Sequence, residues 1–402
     1  MEVKMSELSK YEKLGVDPDK STVREIFGAI IDNDYPGAFV NIVQDPFDSS
    51  RVLTQHQDGD GSKFVQRALH YHLMGGKEIF RYMVDDALSM NTGDIAASGF
   101  VFGPWMITDV LNVGFDFKLG YKETIMRAVA IRMQELKELY VSHGFTNIKF
   151  LGGETADLPD QVKSGVFDMA ITAWADKKDL ITGNVEPGDK IYGFASDGQA
   201  KWEIQQNSGI MSNGLTLARC SLMSREYNQF SVFRRDGEFY EGRFLTDDRP
   251  DILNGLSVSE AILSPTRQWA IVIHKVLSYL KSMNCLSLVH GISMNTGGGA
   301  TKIRNVGRGG IIYYKKMPTP PPLFRLIQEE TKENWSNMYK TFNCGVGLDF
   351  VGKDDPRLHE TLKQVSRECK ITLYELGDCE FWAGPENKVQ LETNYGAYEY
   401  EY

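Results

Sequence analysis

Cysteine is scarce in this 402-residue chain. Its five copies, Cys220, Cys285, Cys344, Cys369 and Cys379, are odd in number and never spaced as CxxC. That pattern fits neither a disulfide scaffold nor a thiolate zinc site, and it points to a reduced, cytoplasmic protein. Long apolar runs are missing too. The most apolar stretch, Gly99 to Phe115, is broken by Asp109, so no membrane span is expected. Met1 to Glu7 carry charges where a signal peptide needs an apolar stretch. Basic charge is in deficit, with 44 Lys+Arg against 54 Asp+Glu and a formal net charge of −10. Nucleic acid is therefore not an expected partner, because phosphate-backbone binders carry a clustered basic footprint.

Glycine is in excess, at 38 residues, against a usual share of about 7%. The glycines gather with acids, Ser, Thr and Asn in four places: Asp58 to Lys63 (DGDGSK), Gly152 to Asp157 (GGETAD), Ser208 to Gly214 and Thr296 to Gly299. Glycine beside a carboxylate or hydroxyl lets backbone N–H groups approach an anion closely. Four such loops suggest phosphate handling.

Periodicity places these loops at element ends. Tyr121 to His143 is predicted as one amphipathic helix, with Ile125, Val129, Leu136 and Tyr140 on one face and Gly144 as its stop. Thr146 to Leu151 reads as a strand running into Gly152. Trp269, Ile273, Val276 and Leu280 mark a helix begun after Pro265-Thr266-Arg267, followed by a strand-like Leu286 to Val289. The class is mixed α/β. Polar Asp179 to Asp189 is the candidate domain boundary. Asp197 to Asn207 reads as an inserted loop, Ser224 to Asp251 as a hairpin excursion, and Glu392 to Tyr402 as an acidic, Tyr-rich tail.

Each glycine cluster has two readings. Asp58, Asp60 and Lys63 offer oxygen ligands for Mg²⁺ and a cation for a phosphate, yet Asp-Gly pairs also make plain β-turns. Asp85 and Asp86 follow an apolar run, as a divalent-ion pair or, for Asp86, as a helix N-cap. Gly152 and Gly153 permit close backbone approach and Glu154 supplies a third oxygen; the alternative is a capping turn. Ser212-Asn213-Gly214 and Thr296 to Gly299 precede candidate helices, whose free N–H groups attract anions, or are ordinary turns. Cys344 reads as a buried inert thiol, and His70, His72 and His359 as surface residues.

In order along the chain, DGDGSK, VDDALSMNTGD, GGETADLP, SGIMSNG, SPTR, HGISMNTGGG and MYKTFNCGVG resemble the AIR synthase family, the phosphoribosylformylglycinamidine cyclo-ligases of purine biosynthesis. The patterns echoed are DGVGTK, VND, GGETAEMP, SGxHSNG, PTR, HGxAHxTGGG and MYxTFNCGVG, and the resemblance runs from about Tyr11 to Gly377. It implies a two-domain α/β fold in which N-terminal domains pair into a dimeric β-barrel beside a C-terminal α/β domain. The implied division is 1–50 as an extension and mobile loop, 51–182 and 186–380 as the two domains, and 381–402 as the tail. The implied enzyme is a ligase using ATP and Mg²⁺ to close formylglycinamidine ribonucleotide into aminoimidazole ribonucleotide. Carried over by position, Lys63, Asp86 and Glu154 would be catalytic. Asp58, Asp86 and Glu154 would hold Mg²⁺. Asp58, Gly59, Asp60, Gly61, Ser62, Lys63, Asp86, Gly152, Gly153, Glu154 and Thr155 would bind the nucleotide, and Ser212, Asn213, Gly214 and Thr296, Gly297, Gly298 and Gly299 the substrate.

Two departures stand out. Met211 and Met294 occupy positions where the family pattern has His. A thioether cannot shuttle protons, which leaves His56 as a candidate acid–base group. The glycine-rich N-terminal loop shrinks to Tyr35 to Phe39, and the 197–207 insertion is additional. Two alternatives follow: a small-molecule kinase of the same fold with another acceptor, and a nucleotide-binding homologue without catalysis. On the metal reading, Asp86→Ala is expected to abolish turnover and leave the fold intact.

Overall fold

Period-two burial builds the first sheet. Along Gly165–Asp176 the odd-numbered residues are buried while their even neighbours stay partly or fully open, as expected for a sheet covered on one face. This computed structural model describes residues 8–16, 26–28, 30–114, 121–230 and 239–401. Its first sheet contains β1 (Val43–Gln44), β2 (Arg51–Gly59), β3 (Trp105–Val113), β4 (Ile148–Asp157) and β5 (Gly165–Asp176). The strand order is β1-β2-β5-β3-β4. Only the β3–β4 pair is parallel.

The covered face lies against the helix Tyr82–Ala97, in which every residue after Tyr82 is buried. Such a helix needs partners on all sides. The second half supplies them through the helix Trp269–Ser282 and through Met294, which packs where Gly93 has no side chain. A Cβ on Gly93 would lie 2.5 Å from the Met294 Cε. One apolar core accordingly runs across both halves. On the opposite face of the sheet, Met106 and Val166 are exposed.

The second sheet contains β6 (Lys190–Ala195), β7 (Val289–Met294), β8 (Ile311–Lys316), β9 (Val346–Gly352), β10 (Leu373–Phe381), β11 (Lys388–Thr393) and β12 (Gly396–Tyr400). Its order is β12-β11-β8-β10-β6-β9-β7. Strands β7 and β9 are buried along their whole length, including the polar His290, Ser293 and Asp349.

The structure departs from the periodicity in four places. The expected strand over Leu286 to Val289 is instead a turn of 3-10 helix at Leu286–Leu288, and β7 begins only at Val289. Strand β4 continues through Gly152 to Asp157, because pairing with β3 persists past Gly153, where a Cβ would strike the Asp109 carbonyl. Between Ser224 and Asp251 the described residues form bridges of Met223 with Phe244 and Ser224 with Gly242, both parallel, and residues 231–238 of the expected hairpin lie outside the described set. The segment read as a tail supplies β11 and β12, pinned by a Trp335–Tyr395 stack at 4.0 Å and a Tyr400 hydroxyl donating to the Ser336 carbonyl at 2.8 Å. The predicted Tyr121–His143 helix is present as Tyr121–Ser142.

Candidate active site

Strand β2 ends at Gly59, the chain turns through Asp60 to Ser62, and a helix starts at Lys63. Residues four apart on a helix share a face, so Lys63 and Arg67 both point into the seam between the halves. Both side chains are fully buried, as is Asp86 of the neighbouring helix. The Lys63 Nζ donates to Asp86 Oδ1 at 2.7 Å and to the Ser264 carbonyl at 2.7 Å. Arg67 donates to Asp86 Oδ2. From the second half, the Ser212 hydroxyl reaches Asp86 Oδ1 at 3.0 Å, and Thr266 reaches it through its backbone N–H at 2.7 Å and its hydroxyl at 2.6 Å. Burial pushes the Lys63 ammonium down to about 8, against the pull of Asp86 and with the help of Arg67. Asp60, also buried, has no hydrogen-bond partner on either oxygen. Burial raises its carboxyl well above the usual range, although the Arg67 charge opposes this.

The second-half loops come together beside this cluster. The Asn213 amide donates to the Thr296 carbonyl at 2.9 Å and to the Thr341 carbonyl, while the Asn343 amide donates to the Gly209 carbonyl at 2.8 Å. Gly214 has φ +65 and a Cβ there would strike the Phe342 ring; Gly299, at φ +57, abuts the Phe342 carbonyl. Met211 and Cys344 both adopt positive φ without being glycine, conformations that persist only where surroundings over-determine them. Burial pushes the Cys344 thiol well up.

The three carboxylates read as Mg²⁺ ligands are not gathered at one point. Register links Gly59 to Asp168, Asp168 to Val110 and Val110 to Glu154. Glu154 thus sits three strands from the end of β2, about 14 Å away at ordinary strand spacing. One Mg²⁺ needs its ligands at about 2.1 Å. Glu154 is exposed and accepts from the Thr155 N–H at 2.8 Å. Asp58 accepts from the Gly59 N–H at 2.7 Å, and both Asp86 oxygens are already engaged by protein donors. Among the described residues, no group of three or more His, Cys, Asp or Glu is placed to hold a metal ion. The arrangement of this chain does not fit a single resident Mg²⁺.

His56 pairs with Asp94 at 3.3 Å and with the Asn91 amide oxygen at 3.0 Å. Burial alone would lower its pKa, but Asp94, with Asn91 and Asp58, raises it. Asp94 lies eight residues beyond Asp86 on one helix, about 12 Å along its axis. His56 is thus outside the Asp86 cluster.

No family model matches the chain. A phosphoribosylformylglycinamidine cyclo-ligase of Methanocaldococcus jannaschii is 30% identical over 298 residues, covering 74% of this chain and 69% of that one. The chain belongs to the phosphoribosylformylglycinamidine cyclo-ligase family. With the family enzyme of Methanococcus maripaludis strain C7 it is 30% identical over 250 residues, 62% of this chain, and the match spans 60% of the relative's length. Among solved structures, "T. maritima PurL complexed with FGAR" aligns at TM-score 0.55 and 12% identity, over 98% of this chain and 52% of that one. Hydrogenase maturation protein HypE in complex with ATP aligns at 0.50 and 12%, over 96% of each chain. At these identities the two structures share the fold.

For this cyclo-ligase family member, motif reading missed Arg67, Ser264 and Asn343. Arg67 was detectable as the basic residue one turn after Lys63. Ser264 and Asn343 lie inside the SPTR and MYKTFNCGVG motifs, but a carbonyl acceptor and an amide staple are roles that the motif letters do not show.

Proposed function

We propose that the chain catalyses the family reaction, the ATP-dependent closure of formylglycinamidine ribonucleotide to aminoimidazole ribonucleotide. The formyl amide oxygen takes the γ-phosphoryl group of ATP, with ADP leaving. An amidine nitrogen then attacks the activated carbon, the C–O bond breaks, phosphate departs with that oxygen, and the ring closes with loss of a proton. Divalent cation enters as part of the nucleotide substrate. Such chemistry needs positioned cations and N–H donors more than a covalent nucleophile.

The observation that carries this reading is the buried Lys63–Asp86–Ser212–Thr266 junction, where the DGDGSK helix meets the SNG and PTR loops. In the proposal, the accessible Asp58, Gly61 and Ser62 with Gly152 to Thr155 meet the nucleotide, the buried Asp60 and Lys63 hold that turn from beneath, and Ser212 to Gly214 with Thr296 to Gly299 meet the ribonucleotide. The open face of the first sheet, bearing Met106 and Val166, pairs with a second copy.

The methionines at 211 and 294 favour one second reading, a kinase of the same fold acting on another acceptor, since both are buried core residues that exchange no protons. Incubation with ATP, Mg²⁺ and formylglycinamidine ribonucleotide tests both readings. Formation of aminoimidazole ribonucleotide supports the first. ATP turnover only with another acceptor supports the second, and ATP binding without turnover on any acceptor overturns both.

A further inference from the structure

The 197–207 insertion folds onto the Ser264–Arg267 segment. Its neck is closed by backbone bonds between Gly198 and Asn207. Near its middle, Glu203 accepts from Arg267 Nε at 2.8 Å and Nη2 at 2.9 Å, a bidentate pairing with fixed geometry. The Arg267 side chain is 1% exposed and that of Glu203 11%. At the insertion's end, the Asn207 amide donates to the Pro265 carbonyl at 2.7 Å, and the Ser208 N–H to the Ser264 hydroxyl at 3.1 Å.

These ties fall on both sides of Thr266, which grips Asp86, and on Ser264, whose carbonyl holds Lys63. A cavity of about 210 Å³ lies between the insertion and this segment, lined by Trp202, Glu203 and Asn207 on one side, Thr266 on the other, and Arg81 and Arg132 from the first half. Across that gap the insertion meets the segment through the polar ties just named. We infer that Glu203 is a positioning residue: through Arg267 it fixes the Ser264–Arg267 segment and thereby the placement of Asp86 and Lys63.

This inference rests on the proposed function only for its kinetic arm. Glu203→Gln removes the charge, while Arg267 keeps the Ala195, Asp197 and Gly198 carbonyls as acceptors, so the fold is expected to survive. Glu203→Asp is the conservative companion. Glu330→Gln, which breaks an exposed pair with Arg243, is the control.

The first readout is the rate of Lys63 labelling by trinitrobenzenesulfonate, mapped by mass spectrometry on folded protein and independent of any reaction. Labelling is expected to rise several-fold in Glu203→Gln, less in Glu203→Asp, and not at all in Glu330→Gln. The second readout is turnover. The kcat of Glu203→Gln is expected to fall on the order of tenfold, the scale of a sub-ångström misplacement, with KM for ATP little changed. Unaltered Lys63 protection in both Glu203 variants overturns the inference. Increased labelling without turnover in any variant, wild type included, upholds it and removes the proposed reaction instead. If Glu203→Gln does not fold, the Glu203→Asp labelling decides.

Discussion

Thr266 holds Asp86 twice, with its backbone N–H at 2.7 Å and its hydroxyl at 2.6 Å from the same carboxylate oxygen. One residue comes from a helix under the first sheet and the other from the loop preceding the Trp269–Ser282 helix. The bond therefore ties the two halves, and it does so beside two buried cations.

Asp86 is the counter-charge of Lys63 and Arg67. Removing one partner of a buried ion pair costs about 3–5 kcal/mol, because the remaining charge is left uncompensated. Asp86→Ala is accordingly expected to lose stability of that order as well as turnover. This replaces the sequence-based expectation of an intact fold, which ignored what else the carboxylate holds. Urea unfolding checks it; unchanged stability would mean that the cations find other partners.

His274 packs against Phe145 at 4.5 Å and Phe102 at 5.6 Å. Burial, then the charges of Lys275 and His143, lower its pKa from 6.5 to about 4. The unfolded chain takes up a proton near pH 6.5 while the folded chain does not. The contribution is present above pH 6.5 and is lost as pH falls to about 4, on the order of 3 kcal/mol in total. His274→Phe is expected to flatten this part of the stability profile, read as the difference between the two proteins' unfolding free energies at pH 7 and pH 4. Parallel profiles would refute the assignment.

Gly214 and Gly297 make a contrast. Gly214→Ala forces a side chain into positive φ and against Phe342, a strain of about 1–3 kcal/mol. Gly297 has open space around a would-be Cβ, so Gly297→Ala is expected to leave thermal stability nearly unchanged and to weaken ribonucleotide binding. Calorimetric unfolding and KM for the ribonucleotide separate the two effects. Unchanged KM in Gly297→Ala would take that residue out of the site.

The open sheet face gives an assembly prediction. Wild-type protein is expected to sediment as a dimer, and Met106→Glu with Val166→Glu as a monomer, since charge on a buried apolar face is costly. Dimeric behaviour of the double variant would place any interface elsewhere.

Much of the scaffold was legible because burial imposes period on sequence. The Tyr121–Ser142 helix shows a 3.6-residue apolar face, and the helix at Trp269 follows PTR directly. Strand β4 was read short because Gly152 and Gly153 look like loop residues; close passage by Asp109 is a tertiary fact. The motif residues Lys63, Asp86 and Ser212 do meet. Glu154 does not join them, because register across three strands, invisible in one sequence, sets its distance. The tail became two strands because β11 pairs in parallel with β8 and antiparallel with β12, a long-range pairing that one sequence does not show.

The most direct test follows the formyl oxygen. Formylglycinamidine ribonucleotide labelled with ¹⁸O at the formyl group is incubated with the protein, ATP and Mg²⁺, and the products are analysed by mass spectrometry. The account expects one ¹⁸O in the released phosphate for each aminoimidazole ribonucleotide formed. Phosphate released without the label, or ATP consumed with no aminoimidazole ribonucleotide produced, would contradict it.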